Sequence, residues 1–566
     1  MTETPSFSLI TERWIRCQAA DGTDTQLSLR EIFDGSVSVA AIRGDSPTQD
    51  YAVLRILLAI FWRAHRSETE VRPGETFDFD TWREFAWEDA VEGGADDAAL
   101  DYLDRYAARF DLLHPEAPFM QVADLATPSG SRSEIQRIVP EAESSYFSMR
   151  AGNALDSLAL DEAARWLIHT QAYDYSGIKS GAIGDPRVKG GKGYPIGPGW
   201  SGLTGGTTIL GSTLRETFVL NTAPAALTAG GEDRPVWERE PDGAAQRLSS
   251  RPTGPSDFAT WQSRRVRLFV DHGRVTSVLV SNGDQIPEAG ANVFGDPMTP
   301  YRFSTNKSKK NLDVYYPRPY STERMMWRSL EPLIALGGET ELQRGAKPGK
   351  RPQTLDALAA AQTAGTSIPA VLSVRLTSAS YGAQASSAST TVDSRLEIPR
   401  ALLHEDSLRA RTLVLAAARA AMDAAVNLGS FAGQLQLAAG GEYVFQPAVT
   451  DALLAELEPS FREWLGRFVL ADAEAECTRW QQYVHRAVRE RAQLLLRGAG
   501  TKALIGREIL QNDRPVLISA GSAYGKLLRD LRKSLPLLRD TPSRRDDAPA
   551  SGAQPADTSE ESRHDQ

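Results

Sequence analysis

The chain has 566 residues, of which 41% are hydrophobic and 24% are charged, a composition typical of folded globular domains. This length exceeds what one hydrophobic core usually supports, so we expect two or more domains. The net charge of -10 argues against a free-standing nucleic-acid-binding protein, because neutralising phosphates requires cations, but it allows a subunit that borrows positive charge from partners.

The two cysteines, Cys17 and Cys477, exclude a disulfide framework and any zinc site built from several thiolates. The chain start lacks a basic segment followed by an apolar run, so we expect no secretory signal. No stretch reaches the roughly eighteen continuous apolar residues of a membrane span. We therefore expect a cytoplasmic protein that does not engage a membrane.

Short strands and a buried helix are predicted near the start of the chain. Residues 7–33 alternate around a DG turn signal and end in a helical turn, which is typical of a β-hairpin followed by a short helix. A buried helix follows, with Ser46 or Thr48 as its cap and apolar residues at helical spacing. We interpret His65 at its end as a cation at a helix C-terminus rather than as a catalytic group.

The run 177–211 contains glycine at a density that the interior of a helix or strand does not tolerate. Four cations lie among its glycines: Lys179, Arg187, Lys189 and Lys192. Exposed backbone N–H groups combined with positive charge favour polyanions, so we interpret the run as a loop that faces nucleic acid. An irregular surface loop without a ligand is the alternative.

Two nucleotide-binding motifs are excluded by the spacing within this run. A phosphate loop ending at Lys192 would need a glycine where Pro186 stands, and Gly193 follows the lysine in place of serine or threonine. No GxGxxG segment follows a clear strand and opens a clear helix, which excludes the dinucleotide-binding fingerprint as well.

The middle of the chain alternates between irregular and strand-like segments. Residues 225–260 are rich in proline, glycine and charge, which predicts a surface excursion. Residues 264–286 show the clearest β-hairpin pattern of the chain. Three arginines give this hairpin a basic approach: Arg264, Arg265 and Arg267.

Two further loops carry candidate contacts to nucleic acid. The first is a predicted hairpin tip with three lysines, which mark a solvated edge unless their context adds a role: Lys307, Lys309 and Lys310. The second is the small-residue segment 381–385 between strands predicted at 371–376 and 391–398. Its Gln384 could wedge into a duplex, because the amide can meet base edges while small neighbours permit close approach. A plain flexible loop is the alternative.

From about residue 399 the chain is rich in alanine, leucine and charge, with apolar positions three and four residues apart. Four segments with this pattern predict a bundle of amphipathic helices: 404–428, 449–470, 472–496 and 519–540. The predicted fold is therefore α+β, with a large mixed N-terminal domain of β-hairpins and irregular loops over 1–398 and a four-helix bundle over 399–540. Residues 541–566 have no large apolar side chain and are expected to be disordered.

An enzyme would need acids and histidines that converge on one site. Four histidines that could serve are scattered without metal-ligand spacing: His169, His272, His404 and His485. The nearest cluster, at 404–406, is explained more simply as the N-terminal turn of a helix. We therefore expect no catalytic residue, no metal and no cofactor. A purely structural scaffold remains an alternative, but it leaves the glycine run and the Gln384 loop unexplained.

Five motifs in a fixed order carry a family resemblance: FSLITERWI, HPEAPFMQ, SGLTGGTTILGSTLRETFVLNTAP, DPMTPYRF and SYGAQAS. Together with the helical C-terminus they resemble the CasA family, the large subunit of the type I-E CRISPR surveillance complex Cascade, over nearly the full chain. The resemblance implies a non-enzymatic subunit that recognises the protospacer-adjacent motif (PAM) of double-stranded DNA, largely through the minor groove. It also implies that the subunit starts strand separation for guide pairing.

The resemblance further implies specific contact residues and partners. The DNA contacts would be a glycine loop at Gly197, Pro198 and Gly199, a lysine finger at Lys307 with Lys309 and Lys310 as substitutes, and a glutamine wedge at Gln384 flanked by Ala383 and Ala385. Phe147 falls where the family places an aromatic ring against the 5′ end of the guide RNA. The other implied partners are the remaining Cascade subunits and a recruited helicase-nuclease. The helical bundle would steady a DNA strand as the R-loop forms.

Overall fold

The computed structural model describes residues 5–72, 75–140, 152–154, 156–248, 251–320, 325–336, 347, 349–360, 368–385, 387–511 and 514–538. Phe147 and the predicted tail 541–566 lie outside the described residues. Two compact units are present: Met1–Met422 with Asp451–Glu476, and Asp423–Thr450 with Cys477–Gln566. The mixture of helices, strands and a helical C-terminal region confirms the predicted α+β class. The domain boundaries at 398 and 540 stay predictions.

The first unit begins with a small antiparallel sheet and its core helices. The elements are β1 (Ile15–Ala19), β2 (Asp24–Leu27), α1 (Leu29–Phe33), β3 (Val39–Ile42), α2 (Pro47–Ala64), α3 (Phe79–Glu92), α4 (Asp97–Arg105) and α5 (Leu160–Tyr173). Strand β1 pairs with β2, as the DG turn predicted, and with β3 on its other edge. Helix α2 begins at Ser46, whose hydroxyl accepts a hydrogen bond from the Gln49 N–H, and nearly all of its residues are buried.

Short helices and hairpins follow in the same unit. They are β4 (Lys179–Ser180), β5 (Lys192–Gly193), α6 (Trp200–Thr204), β6 (Gly206–Leu210), α7 (Leu214–Leu220), α8 (Pro224–Thr228), α9 (Pro255–Ala259), β7 (Arg264–Asp271), β8 (Arg274–Asn282), β9 (Tyr301–Phe303), β10 (Tyr315–Pro317), α10 (Met325–Ile334), α11 (Gln353–Ala360), β11 (Val371–Tyr381) and β12 (Ala388–Pro399). Strands β7 and β8 form the predicted hairpin. Strand β11 lies between β12 and β6 in an antiparallel sheet, and both hairpin strands are longer than predicted.

Only part of the surface excursion predicted for residues 225–260 lies at the surface. Trp237 and Phe258 are almost fully buried, and the Trp237 ring lies 4.9 Å from that of Phe110. The carboxylate of Asp233 accepts hydrogen bonds from two backbone N–H groups at the start of α9. Proline and glycine here shape an irregular segment around buried aromatic rings, because burying such large rings stabilises the fold more than exposing them.

The C-terminal elements include the four predicted helices and one unpredicted hairpin. They are α12 (Leu408–Ala438), α13 (Pro447–Gly466), α14 (Ala473–Gly498), α15 (Gly500–Ile505), β13 (Arg507–Gln511), β14 (Arg514–Ile518) and α16 (Ala520–Ser534). Among the described residues, the stretch Glu405–Ala438 is long and apolar enough to cross a membrane by length and composition alone. Half of its apolar window is buried within the protein.

His65 ends helix α2 between two carboxylates. Its Nδ1 lies 2.7 Å from Glu68 Oε1, and its Nε2 lies 3.1 Å from Asp96 Oδ2. Burial lowers the pKa of the imidazole, but the two carboxylates outweigh burial and raise the pKa to about 9. His65 is therefore a charged residue at a helix C-terminus, as the sequence indicated.

We expect the contribution of His65 to stability to depend on pH. Because its pKa is higher in the folded chain than the usual value of about 6.5, the stabilisation is complete below pH 6.5 and is lost as the pH rises through about 9. Thermal unfolding of His65→Gln should show a loss on the order of 2 kcal/mol at pH 6 that shrinks over this range. The exposed His272 supplies a control for the removal of an imidazole, His272→Asn. An equal loss at pH 6 and pH 9 would mean that the His65 imidazole is neutral.

Candidate nucleic-acid interface

The short helix α6 is where the three predicted contact segments meet. Gly199 is the N-cap of α6, so the glycine loop runs directly into the helix. At the other end, Gly205 packs against Pro319 and Tyr320, which follow the lysine hairpin β9–β10. A Cβ on a third glycine, Gly202, would overlap the hydroxyl of Tyr381, the residue that begins the Gln384 tip. The structure therefore brings together, at helix α6, the points where all three segments join the body of the protein.

The two glycines of the loop satisfy different needs. Gly197 has φ 98°, in the left-handed region, and nothing lies within 4 Å of the position where a Cβ would be. A Cβ on Gly199, in contrast, would overlap the carbonyl of Ala172 in the last turn of α5. The Gly199 N–H donates a hydrogen bond of 3.0 Å to the Asp174 carbonyl. Gly199 is thus packed against α5, whereas Gly197 lies next to open space. Pro198 between them is half-buried.

Trp200 anchors α6 in the core. Its indole Nε1 donates a hydrogen bond of 2.6 Å to Asp296, and the same carboxylate pairs with Arg55 at 2.6 Å. The Trp200 ring also packs against Phe258 at a centroid distance of 4.5 Å. Because these partners are all buried, α6 forms a fixed support beneath the glycine loop.

The carboxylate of Asp174 gathers three cations beneath the same loop. Arg137 binds it with two hydrogen bonds of 2.8 and 3.0 Å, Lys179 lies at 3.2 Å, and Arg264 donates through its Nε. Burial raises the pKa of the Asp174 carboxyl, but the three cations outweigh burial and hold the pKa well below its usual range. Arg264 also donates to the Gly197 carbonyl at 2.8 Å, which ties the glycine loop to the end of α5.

Only part of the positive charge predicted for the glycine run is available to a ligand. Lys179 is buried, and burial lowers its pKa to about 7 despite the nearby carboxylate. Arg187 is held at 3.0 Å by Asp185. Lys189 and Lys192, in contrast, are exposed at the tip of the β4–β5 hairpin.

The basic approach predicted for the β7–β8 hairpin is wrong. Arg264 and Arg265 are each 1% exposed, and Arg265 pairs with the buried Asp284 at 2.8 Å. Arg267 is half-buried and donates to the Leu125 carbonyl. A buried guanidinium requires a carboxylate or carbonyl partner, so these arginines connect the hairpin to the core.

Gln384 lies at the exposed tip of the β11–β12 hairpin, beside the exposed Ala383. Both Gln384 and Ala385 adopt left-handed backbone angles, with φ of 57° and 52°. Such angles cost on the order of 1 kcal/mol or more outside glycine and persist only where the surroundings fix them. A hydrogen bond of 2.9 Å from the Ala385 N–H to the Gly382 carbonyl closes the tip.

Tyr381 attaches this tip to the body of the protein. Its hydroxyl donates a hydrogen bond of 2.7 Å to the Tyr173 carbonyl at the end of α5. Burial raises the pKa of the Tyr381 phenol, so the hydroxyl remains a donor. The Gln384 tip and the glycine loop are therefore fixed on the same helix end.

The three lysines occupy the end of the β9–β10 hairpin and are all exposed. Lys307 belongs to a helical turn closed by the Ser308 N–H and the Ser304 carbonyl at 3.0 Å. Lys309 pairs with Leu312 through two backbone hydrogen bonds, which places Lys310 at the corner of a tight turn. None of the three lysines pairs with a carboxylate in the part of the chain that the structure describes. The prediction of an exposed lysine-bearing hairpin tip is confirmed.

The family model described as CRISPR-associated protein Cse1 matches residues 8–491. The chain belongs to the Cse1 family. The resemblance to the CasA family seen in the sequence is thereby confirmed.

Known Cse1 proteins agree with this assignment. The crystal structure of Thermobifida fusca Cse1 is similar with 37% identity and a TM-score of 0.82, covering 95% of this chain and 99% of that chain. CasA/Cse1 of Thermus thermophilus is 29% identical over 346 residues, which covers 60% of this chain and 62% of that protein. A chain of a CRISPR RNA-guided surveillance complex has 18% identity and a TM-score of 0.62, covering 87% of this chain and 99% of its own length, which shows the fold alone.

Within the described ranges no group of three or more histidine, cysteine, aspartate or glutamate side chains could hold a metal ion. Burial lowers the pKa of His169 to about 4, and its Nε2 lies 3.0 Å from the Thr48 hydroxyl. His404 is partly exposed, 3.4 Å from Asp406.

Proposed function

We propose that this Cse1 chain is the DNA-recognition subunit of a type I-E RNA-guided surveillance complex. In this role it reads the PAM of double-stranded DNA through the minor groove and starts strand separation. The observation that carries the proposal is the convergence of the glycine loop, the lysine hairpin and the Gln384 tip on helix α6.

The glycine loop and the lysines fit a minor-groove contact. The bare backbone at Gly197 has open space beside it, so it can lie against a groove wall where a side chain would clash. A lysine from the β9–β10 tip, Lys307, Lys309 or Lys310, can reach the N3 and O2 acceptors of the bases. Because the minor groove carries a degenerate pattern of acceptors, we expect several PAM sequences to be tolerated.

Gln384 supplies the wedge, with Ala383 and Ala385 as small flanking residues. Inserting a side chain between base steps costs a few kcal/mol, which groove contacts and the growing guide heteroduplex offset. A wedge must resist being pushed back, and the hydrogen bond from Tyr381 to α5 provides that resistance.

The remaining proposed partners are the other components of the surveillance complex and the nuclease that it recruits. Other subunits of the complex supply the positive charge that the long heteroduplex needs, which accounts for the net charge of -10 here. We propose that Phe147 contacts the 5′ end of the guide RNA, that the C-terminal helices steady a DNA strand, and that the subunit helps to recruit a helicase-nuclease. It acts in the cytoplasm, without catalytic residues, cofactor or metal of its own.

Inosine substitution tests the minor-groove reading. The assembled complex is first offered duplexes with a randomised PAM, and inosine then replaces each guanine of the preferred motif. This change removes the 2-amino group from the minor groove and leaves the major-groove edge intact. We expect the affinity to change by about 1 kcal/mol or more at a contacted position.

Matched base analogues complete this experiment. Diaminopurine in place of adenine adds the 2-amino group and covers motifs without guanine, while 7-deazaguanine alters only the major groove and should have no effect. An effect of 7-deazaguanine alone would contradict minor-groove reading. Binding that ignores the PAM altogether would favour the scaffold alternative.

A further inference from the structure

The β4–β5 hairpin ends in an exposed turn that carries two lysines. Lys189 and Lys192 face each other there through two backbone hydrogen bonds of 3.1 Å. Between them Gly190 and Gly191 have φ of 57° and 72°. Left-handed angles at both central positions are those of a type I′ turn, which glycine adopts without strain. The turn therefore holds two ammonium-bearing side chains on facing positions of an exposed tip.

This pair of charges is unfavourable by itself. Like charges directly opposite each other on paired strands repel, and neither Lys189 nor Lys192 pairs with a carboxylate among the residues that the structure describes. The two other cations of the same run, Lys179 and Arg187, each lie against an aspartate. An anion at the tip would relieve the repulsion that the fold leaves in place.

The tip and the glycine loop are fixed to the same point of the β7–β8 hairpin. Arg264 and Asn282 stand opposite each other at the open end of that hairpin. Asn282 donates to the Tyr194 carbonyl at 2.6 Å, just after β5, and Arg264 donates to the Gly197 carbonyl at 2.8 Å. One cross-strand pair therefore sets the position of the lysine tip and of the glycine loop together.

Chain length limits the distance between the two features. Gly197 is the fifth residue after Lys192, so their Cα atoms are at most about 17 Å apart. Duplex DNA carries one phosphate charge per roughly 1.7 Å of its axis. A duplex whose minor groove receives the glycine loop at Gly197 consequently places several phosphates within reach of this tip.

We propose that Lys189 and Lys192 form a second DNA site, which binds the phosphodiester backbone of the duplex beside the PAM without reading its sequence. This inference rests on the proposed function, because it assumes that the glycine loop lies in the minor groove. The ligand is duplex DNA, and the contact adds affinity through counterion release.

The salt dependence of binding tests this site. The assembled complex with the Lys189→Gln/Lys192→Gln subunit is titrated with PAM duplex and with a PAM-free duplex over a range of salt concentrations. Each lost phosphate contact should reduce the slope of log K against log salt by about 0.9, so we expect a reduction of about 1 to 2. The preference for the PAM duplex should be unchanged.

The control is the double variant Arg13→Gln/Arg43→Gln, which removes the same two positive charges at positions distant from the lysines in the sequence. Both arginines are exposed in the N-terminal segment, where they pair with Glu31 and Asp24. Their removal should leave the slope unchanged, and thermal unfolding should show that the subunit remains folded in both double variants.

Four results distinguish the possibilities. An unchanged slope in the lysine variant would overturn the second site. A reduced PAM preference would overturn the claim that the contact ignores sequence, and a loss of guide RNA from the purified complex would place the lysines on RNA instead. Failure of the proposed function would look different, because the wild-type complex itself would then show no PAM preference.

Discussion

Replacing Gln384 by alanine is expected to weaken binding of the assembled complex to an intact PAM duplex by roughly 10- to 100-fold, equivalent to a few kcal/mol. The same variant should bind like wild type when the base pairs beside the PAM are already unpaired. The reason is that a wedge contributes only where base pairs must be opened. Equilibrium binding to the two DNAs measures both quantities.

The left-handed backbone angle of Gln384 makes a second variant necessary. Gln384 has φ 57°, an angle that alanine tolerates poorly and glycine tolerates well. Gln384→Gly also removes the amide while keeping the turn free of strain, so an equal defect in the glycine and alanine variants assigns the loss to the side chain. If both variants bind both duplexes like wild type, Gln384 is an ordinary loop residue. PAM recognition would then depend on the glycine loop and the lysine hairpin.

Local patterns in the sequence were sufficient to predict most secondary structure. The buried helix after Ser46, the 264–286 hairpin and the four C-terminal helices all follow from apolar spacing and turn residues, which act over a few positions. The β13–β14 hairpin was missed although two short strand-like runs flank an Asn-Asp turn signal there. In that region the helical pattern on both sides obscured the alternation.

The environment of the arginines could not be predicted from the sequence. Arg264 lies 90 residues from Asp174 in the chain, and Arg137 lies 37 residues from it. A cation beside a glycine-rich segment has the same local sequence whether it is solvated or buried against a distant carboxylate. The sequence therefore overestimated the exposed charge of the glycine run and of the β7–β8 hairpin.

The assembly of the candidate site also depends on tertiary contacts. The family resemblance supplied the candidate residues, but no spacing in the sequence shows that Gly199, Gly202 and Gly205 separate three segments around α6. At each of these positions a different neighbour, from another part of the chain, occupies the space that a side chain would need. Only the fold shows that the loop, the lysine hairpin and the wedge have a common support.

Asp174, at the end of α5, lies beneath the glycine loop and is linked to it through Arg264. We expect its replacement to lower the stability of the fold more than the other substitutions considered above. Its carboxylate is almost fully buried and faces Arg137, Lys179 and Arg264. Removing one partner from a buried ion cluster leaves charges without compensation, so Asp174→Asn should lower the free energy of unfolding by about 3 kcal/mol or more. Urea unfolding of the full chain measures this loss.

Two comparisons separate this electrostatic effect from a general loss of packing. Asp313→Asn removes an exposed carboxylate that pairs with Lys347, and its cost should stay below about 1 kcal/mol. Adding Arg137→Met to Asp174→Asn removes one uncompensated guanidinium, so the double variant should regain part of the stability that the single variant loses. A single variant that loses less than about 1 kcal/mol, or a double variant that is still less stable, would mean that the cluster does not hold the end of α5 and the glycine loop through charge. In that case the hydrogen bonds from Arg264 to the backbone would fix the loop by themselves.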